Sequence, residues 1–477
     1  MNHFNVTDTL IIIGMIVFYI AFTSWLTLKL RSKSSTEFME GSRALPAFIV
    51  GVLLMTEFIG AKSTVGTAQS AFENGIAASW SVIGAAIGFL LFGMILVKKI
   101  YNTGKVTISG AIAEKYGTST KNIISIIMIY ALLLVNVGNY VSGAAAISTV
   151  LHISLPVAAL ITAIVSTFYF YFGGLKGVAY VTLIHSAVKY VGVMIILYVA
   201  LKMTGGFKPM IEQMPDYYWT WDGKIGASTI FAWLIGTIGS IFCTQFVIQA
   251  ISATKDATSA KRATWVAFLF CMPIALAIAI IGVAAKFVHP EINSLYAMPV
   301  FLQDMNPWVA GLVTTSLVAS IFISVSTVAL AIASLIVKDF YVPYYNPTPE
   351  KEMKMTRVFS LIIGFLPLVF VLLVPEVLKL SFFTRAIRLS ISVVAIIAFY
   401  LPFFNSTRGA NASLISACVV TSVWYILGNP YGIDNMYVAL ATPAIVMLLD
   451  RMIPNKANKA NKANKIKTSP TENKSGA

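Results

Sequence analysis

The sequence predicts an all-α polytopic membrane protein, and three observations carry that reading. Of 477 residues, 58% are hydrophobic and 11% charged, whereas a soluble domain carries about 25% charged residues. The mean hydropathy is +0.82. Apolar runs recur along the whole chain at the length of about 20 residues that a helix needs to cross the hydrocarbon core. Period-2 alternation is absent, which argues against an outer-membrane barrel.

Thirteen spans are expected, at about 8–30, 46–72, 76–99, 121–149, 155–173, 178–203, 228–252, 264–287, 308–337, 357–375, 378–404, 410–428 and 433–450. The first run is too long for the apolar core of a signal peptide, has no basic flank before it, and ends in "KLRSK" rather than small residues. It therefore reads as a span. The second is long and carries Gly51, Gly60 and Gly66, with Glu57 and Lys62 in the same apolar stretch. The sixth holds His185 and Lys189, spaced i,i+4 and so on one helix face. The seventh reads "WLIGTIGSIFCTQF", with Gly236 and Gly239 near its middle. The eleventh contains Arg385 and Arg388 in "LSFFTRAIRLSIS". Cys243, Cys271 and Cys418 lie in apolar spans without metal spacing and read as packing residues.

Glycine-interrupted spans at corresponding places in two five-helix units are the mark of an inverted-repeat transporter, whose site lies at the breaks. Spans 2–6 and 7–11 are those units. The expected organisation is a first span and cytoplasmic loop (1–45), a transport core (46–404), two accessory spans (405–453) and a basic, disordered tail (454–477).

Basic loops set the orientation. "KLRSKSS", "VKKIYNTGK", "ATKDATSAKRA", "KDFYVPYYNPTPEKEMKMTR" and the tail all fall on one face, which the positive-inside rule makes cytoplasmic. The N-terminus is then outside the plasma membrane. These loops and the tail also account for the net charge of +15, so nucleic acid is not an expected partner. The expected partners are the bilayer and a small solute, with no obligatory protein partner.

Four stretches resemble the sodium:solute symporter family. They are "TEFIGAKSTVGTAQSAFENGIAASW", "YFGGLKGVAYVTLIH", "QFVIQAISATKDATSAKR" (with Ala250 where that family usually has arginine) and "AMPVFLQDMNPWVAGLVTTSLVASIFISVSTVALAIASLIVKDFY". The resemblance covers about residues 8–450 and implies a LeuT-like 5+5 inverted-repeat core with broken helices in spans 2 and 7. It implies symport driven by sodium, with no cofactor beyond the coupling ion. By that resemblance the sodium ligands are the carbonyls of Thr56, Ile59 and Ser320, together with two hydroxyls at positions that read Ile323 and Ser324 here. Isoleucine offers no oxygen to a hard cation, so the site is weakened. Ser326 and Thr327 lie one turn on. Where the family usually has a supporting aspartate, this chain has Thr182.

Two readings of the charges stay open. Glu57, Lys189 and His185 form a set that replaces some or all of the sodium ligands, with the lysine ammonium standing in for sodium and its proton coupling transport. Alternatively, Glu57 and a lysine form a structural ion pair and sodium coupling is retained. Charges within a span are costly, about 2.5–3.5 kcal/mol on insertion scales, and so carry a partner or a role.

The resemblance places solute contacts at Phe58, Lys62, Ser63, Gln69 and Gln245. Lys62 beside a half-helix N-terminus favours an anion, and Arg385 and Arg388 can bind a carboxylate or pair with Glu376 near the outer end. The expected solute is a small carboxylate such as an amino acid or monocarboxylate, with a sugar or polyol as the alternative. No nucleophile motif, metal pattern or phosphate loop is present in the sequence, which argues against an enzyme.

Overall fold

The structure is a computed structural model and describes residues 5–32, 34–151, 153–373 and 377–453. Its regular elements among those residues are helical, apart from one isolated bridge between Leu45 and Thr254. The first helix, α1 (Val6–Lys29), starts at Asn5 because the Asn5 side chain accepts the Asp8 N–H while Asp8 accepts the Asn5 N–H. That reciprocal pair satisfies two donors the helix would otherwise leave open.

The second expected span is two helices, α2 (Ala47–Phe58) and α3 (Ala61–Asn74), which meet at 45°. There follow α4 (Trp80–Ile95), a short helix α5 (Ile108–Tyr116) and α6 (Thr118–Leu151). The fifth and sixth expected spans run together as α7 (Leu155–Thr204), which is interrupted at Gly174. Gly174 has φ 56°, and a Cβ there would lie 2.7 Å from Ser32 Oγ and 2.8 Å from the Phe38 backbone. Only glycine admits both that conformation and that approach.

The second unit repeats the plan. Its first span is again broken, into α8 (Ala227–Cys243) and α9 (Gln245–Ser252), at 47°. It continues with α10 (Ala257–Val288), α11 (Pro307–Leu335), α12 (Pro349–Phe365) and α13 (Val377–Tyr400). Two further helices, α14 (Thr407–Ile426) and α15 (Asn435–Met452), close the described chain.

Among the described residues nine helices are long and apolar enough to cross a membrane, or eleven if each bent pair is one span. The other two expected spans match a shorter apolar helix, Leu155–Phe168, and α15. The sequence reading did not anticipate α5, which is short and lies within an expected loop. Glu376 and the tail beyond 453 lie outside the described residues.

The helices form two groups. In one, α10 packs against α2, α3 and α4, and α8 packs against α4. In the other, α11 packs against α6 and α7. α1 lies against α11 and α7, while α13 bridges α8, α6 and α15. Polar side chains buried within this apolar packing mark where the groups face each other.

Candidate functional site

The break in the first unit comes from its backbone. The Ile59 N–H still bonds to the Met55 carbonyl at 2.9 Å, but Gly60 is extended (φ −71°, ψ −178°) and restarts the helix as the N-cap of α3. The last carbonyls of α2 therefore have no helical donor. Lys189 of α7 supplies one: its ammonium donates to Ile59 O at 2.8 Å and to Thr56 O at 3.3 Å. Lys189 is 1% exposed. A cation at the negative end of a helix is favourable, and two carbonyls replace part of its lost hydration. Beside it, Thr56 and Ser186 share a hydroxyl–hydroxyl bond. From the other side, a Cβ on Gly60 would lie 1.9 Å from Ser324 Oγ, so α11 closes directly onto the break.

Thr56 and Ile59 thus share a lysine ammonium at the break, and Ser324 meets the break at Gly60. Ser320 lies on the same helix as Ser324, and the side chains of Ser320, Ile323 and Lys62 are outside the description. Thr182 stands apart: its hydroxyl donates to its own helix at Val178 O, 2.7 Å away, and it lines a separate small cavity with Thr27, His185 and Ser326. His185 Nδ1 hydrogen-bonds the Tyr19 hydroxyl of α1. One face of α7 therefore carries two devices: Lys189 and Ser186 serve the break, and His185 and Thr182 lie one to two turns along the helix.

Next to the break is a small cavity of about 20 Å³, room for roughly one water, lined by Glu57, Phe58, Ser63, Asn139, Arg385 and Arg388 among others. Phe58 makes edge contact with Phe89 at 5.1 Å and lies 5.5 Å from Phe246. Both arginines are 2% exposed, so neither reaches out to the membrane surface. Arg385 donates to Thr237 Oγ1 at 2.7 Å and to Ser81 O at 3.1 Å. Arg388 donates to Thr244 Oγ1 at 2.8 Å, at the break between α8 and α9. Each unit thus brings a cation from its last helix to the break of its first: Lys189 in one, Arg388 in the other.

A larger vestibule of about 720 Å³ is lined by Gln69, Glu73, Trp233, Lys379, Phe382 and Asp434, among others. Trp233 stacks on Phe382 at 4.3 Å, and the Arg385 guanidinium lies 4.7 Å from the Phe382 ring. Both rings line the vestibule, and through Arg385 the pair reaches a residue of the small cavity.

The expected solute contacts divide accordingly. Phe58, Ser63 and Arg385 line the small cavity, while Gln69 lines the vestibule. Gln245 lies outside both cavities. It is the first residue of α9, and its amide is taken up by Ile108 N at 3.1 Å and Val106 O at 2.9 Å, away from the cavity. Sequence reasoning missed Asn139, Ser186, Phe246 and Tyr19. For Asn139 a signal existed, a polar amide in the apolar run of α6. Tyr19, Ser186 and Phe246 carry no local mark.

Two helices broken in mid-span, a cation seated on the first break and a charged cavity between the units define a secondary transporter of the inverted-repeat type. The chain belongs to the sodium:solute symporter family, whose sequence profile matches residues 38–416. It is 22% identical over 449 residues to the sodium/proline symporter of Escherichia coli (strain K12), covering 89% of this chain and 88% of that one. It is 23% identical over 289 residues to the high affinity choline transporter 1 of Homo sapiens, covering 57% of this chain and 49% of that one. In structure it resembles a Na+-coupled sialic acid symporter solved in a substrate-bound outward-open state. The TM-score is 0.80 at 16% identity, over 93% of this chain and 98% of that one. A nucleobase-cation-symport-1 family transporter shares the fold at TM-score 0.59 and 13% identity, over 91% and 99% of the two chains. The protein is a multi-pass membrane symporter of a small solute, not an enzyme.

Proposed function

We propose that the protein imports a small, carboxylate-bearing organic solute by cation-coupled symport and alternating access. The observation that carries the solute class is the pair of buried arginines, Arg385 and Arg388, lining one cavity with a single carboxylate, Glu57. Two guanidiniums against one carboxylate leave positive charge in excess, and a solute carboxylate neutralises it with charge-assisted hydrogen bonds. Relatives are named for proline, choline and glucose. The charge at these arginines favours a zwitterion such as proline over the cation choline, and glucose brings no charge to them. The cavity of about 20 Å³ holds about one water, so the solute enters only as the site widens during the cycle. In this reading residues 46–404 form the transport core, the N-terminus is outside the plasma membrane and the C-terminus is cytoplasmic, as the basic loops require.

Sodium is the coupling ion that the family implies. One contact favours a second reading. The Lys189 ammonium is bonded to Thr56 O and Ile59 O, the two break carbonyls expected to hold sodium. Ammonium and sodium cannot share those oxygens, so the proton on Lys189 takes the role of the coupling ion. In proteoliposomes, labelled proline, choline and glucose serve as probes under imposed sodium or proton gradients. Proline uptake driven by sodium alone supports sodium. Proline uptake driven by a proton gradient in potassium medium supports Lys189. Uptake of choline or glucose without any carboxylate would overturn the solute class.

A further inference from the structure

We propose that Gln245 and Asp339 are positioning residues that hold the segment 105–109 across the inner mouth of the transporter and keep the solute path closed on that side. The proposal rests on the transporter reading above and on the assignment of the basic loops to the cytoplasm.

The segment is gripped from two directions. From α9, Gln245 bonds to both Val106 O and Ile108 N, and Ser252 Oγ donates to Lys105 O at 3.4 Å. From the π-helical turn that ends α11 (Ile336–Tyr341), Asp339 accepts the Ser109 hydroxyl and the Thr107 hydroxyl, the latter at 3.1 Å. The same carboxylate accepts Ser125 Oγ of α6 at 2.6 Å, and Asp339 is 3% exposed. A carboxylate has about four acceptor sites and no donor, so it can gather three hydroxyls where an amide could not. Parallel to this, Gln249 of α9 donates to Ser334 Oγ of α11 at 2.9 Å and to Met39 O at 2.6 Å.

These bonds join the two helix groups. α9 belongs with the broken helices, and α11 belongs with α6 and α7. None of the residues in this grip lines the vestibule of about 720 Å³, which is bounded by α3, α8, α13, α14 and α15. Beside the central cavity, a small space of about 10 Å³ is bounded by Glu57, Phe246, Gln249, Ala250 and Thr327, of which Phe246, Gln249 and Ala250 lie on α9 beyond Gln245. A solute at Glu57 can leave past Ala250 only if α9 parts from α11. Gln245 fixes the segment to α9 and Asp339 fixes it to α11, so losing either frees the inner side to open.

The test reads accessibility from each side in oriented membrane vesicles, with a membrane-impermeant maleimide and the parent chain as background. Ala250→Cys reports the inner path and Thr229→Cys the vestibule. Gln245→Ala, which loses two hydrogen bonds, and Asp339→Ala, which loses three, are each expected to raise inner labelling of Ala250→Cys by at least about threefold to tenfold, the population shift that one net hydrogen bond alone would give. Labelling of Thr229→Cys from outside is expected to fall in step. Asp339→Asn, which keeps one acceptor oxygen, is expected to give a smaller rise. Unchanged inner labelling in both variants overturns the proposal. So does a rise at both reporters, because general loosening opens both sides. If Asp339→Ala does not fold, Gln245→Ala, a neutral change at a single amide, decides alone. If Ala250→Cys is never labelled from inside in the parent or any variant, alternating access itself fails, and the proposal with it.

Discussion

The ammonium of Lys189 lies 2.8 Å from the carbonyl oxygen of Ile59, at the open end of α2. The two residues are 130 positions apart in the chain, and nothing local to either specifies the contact. It joins the last helix of the first unit to the break of its first helix. Any motion that opens this break must dispose of that charge.

Lys189→Gln tests what the charge does. The amide can donate to one of the two carbonyls but carries no positive charge and no exchangeable ammonium proton. If Lys189 couples transport, proton-driven uptake of proline is lost in this variant and sodium does not restore it. If sodium is the coupling ion, the vacated carbonyls become available and sodium raises the melting temperature of Lys189→Gln more than that of the parent. The stabilisation to look for is about 2.7 kcal/mol at a hundredfold excess over Kd.

Gly60 has no room for a methyl group. Its Cβ would stand 1.9 Å from Ser324 Oγ and 2.8 Å from Ser324 Cβ. Gly60→Ala is expected to destabilise the protein by about 1–3 kcal/mol, the usual cost of overpacking, and to stop uptake. Adding Ser324→Gly removes both colliding atoms, at a helix cost of about 1 kcal/mol. The double variant should therefore melt above Gly60→Ala alone. If it melts lower, the contact across the break is not what excludes the side chain.

Arg385 bonds to Thr237 and Ser81 O while lining the cavity. Arg385→Lys keeps the charge and loses the planar fork. We expect kcat/KM for a carboxylate solute to fall about tenfold to a hundredfold, which is about 1.4–2.7 kcal/mol of lost stabilisation. Uptake assays on the purified variant check this. An unchanged value removes Arg385 from the solute contacts and leaves it as a brace on α8.

Lys115 donates to three carbonyls near the end of α13: Ile397 O at 3.3 Å, Ala398 O at 3.2 Å and Leu401 O at 2.8 Å. A cation at a helix C-terminus contributes about 0.3–1 kcal/mol when exposed and up to about 2 when partly buried. Lys115→Met keeps much of the apolar stem and removes the donor. Its melting temperature is expected to fall by that modest amount, while Lys115→Arg is expected to retain most of it. Equal losses in the two variants would show that the stem, not the charge, makes the contribution.

Much of the architecture could be read from local pattern. Apolar runs of membrane-crossing length marked the helices, and Gly60 marked the first break. The seventh span is also broken, but at Thr244, while Gly236 and Gly239 lie within α8 against Met436 and Leu389. Lys189, Arg385 and Arg388 stood out because charges are rare in spans. Helices that cross a bilayer satisfy their own backbone within about four residues, so their positions are a local property. The short helix α5 escaped notice because it is brief and lies among loop residues.

What each buried group touches could not be read in this way. Gln245 was expected at the solute and is instead bound to Val106 and Ile108. The sequence grouped Glu57 with Lys189 and His185, but it did not show that His185 also bonds to Tyr19 or that Glu57 also lines the arginine cavity. Such partners come from helices far away in sequence, and a small rotation of a helix about its axis exchanges one set for another. The sequence by itself determined that this chain is a membrane-embedded, twice-broken helical repeat carrying charges in its spans. Only the packing of α7, α11 and α13 against those breaks decided which charge meets which carbonyl, because that depends on the relative rotation of helices that no local pattern encodes.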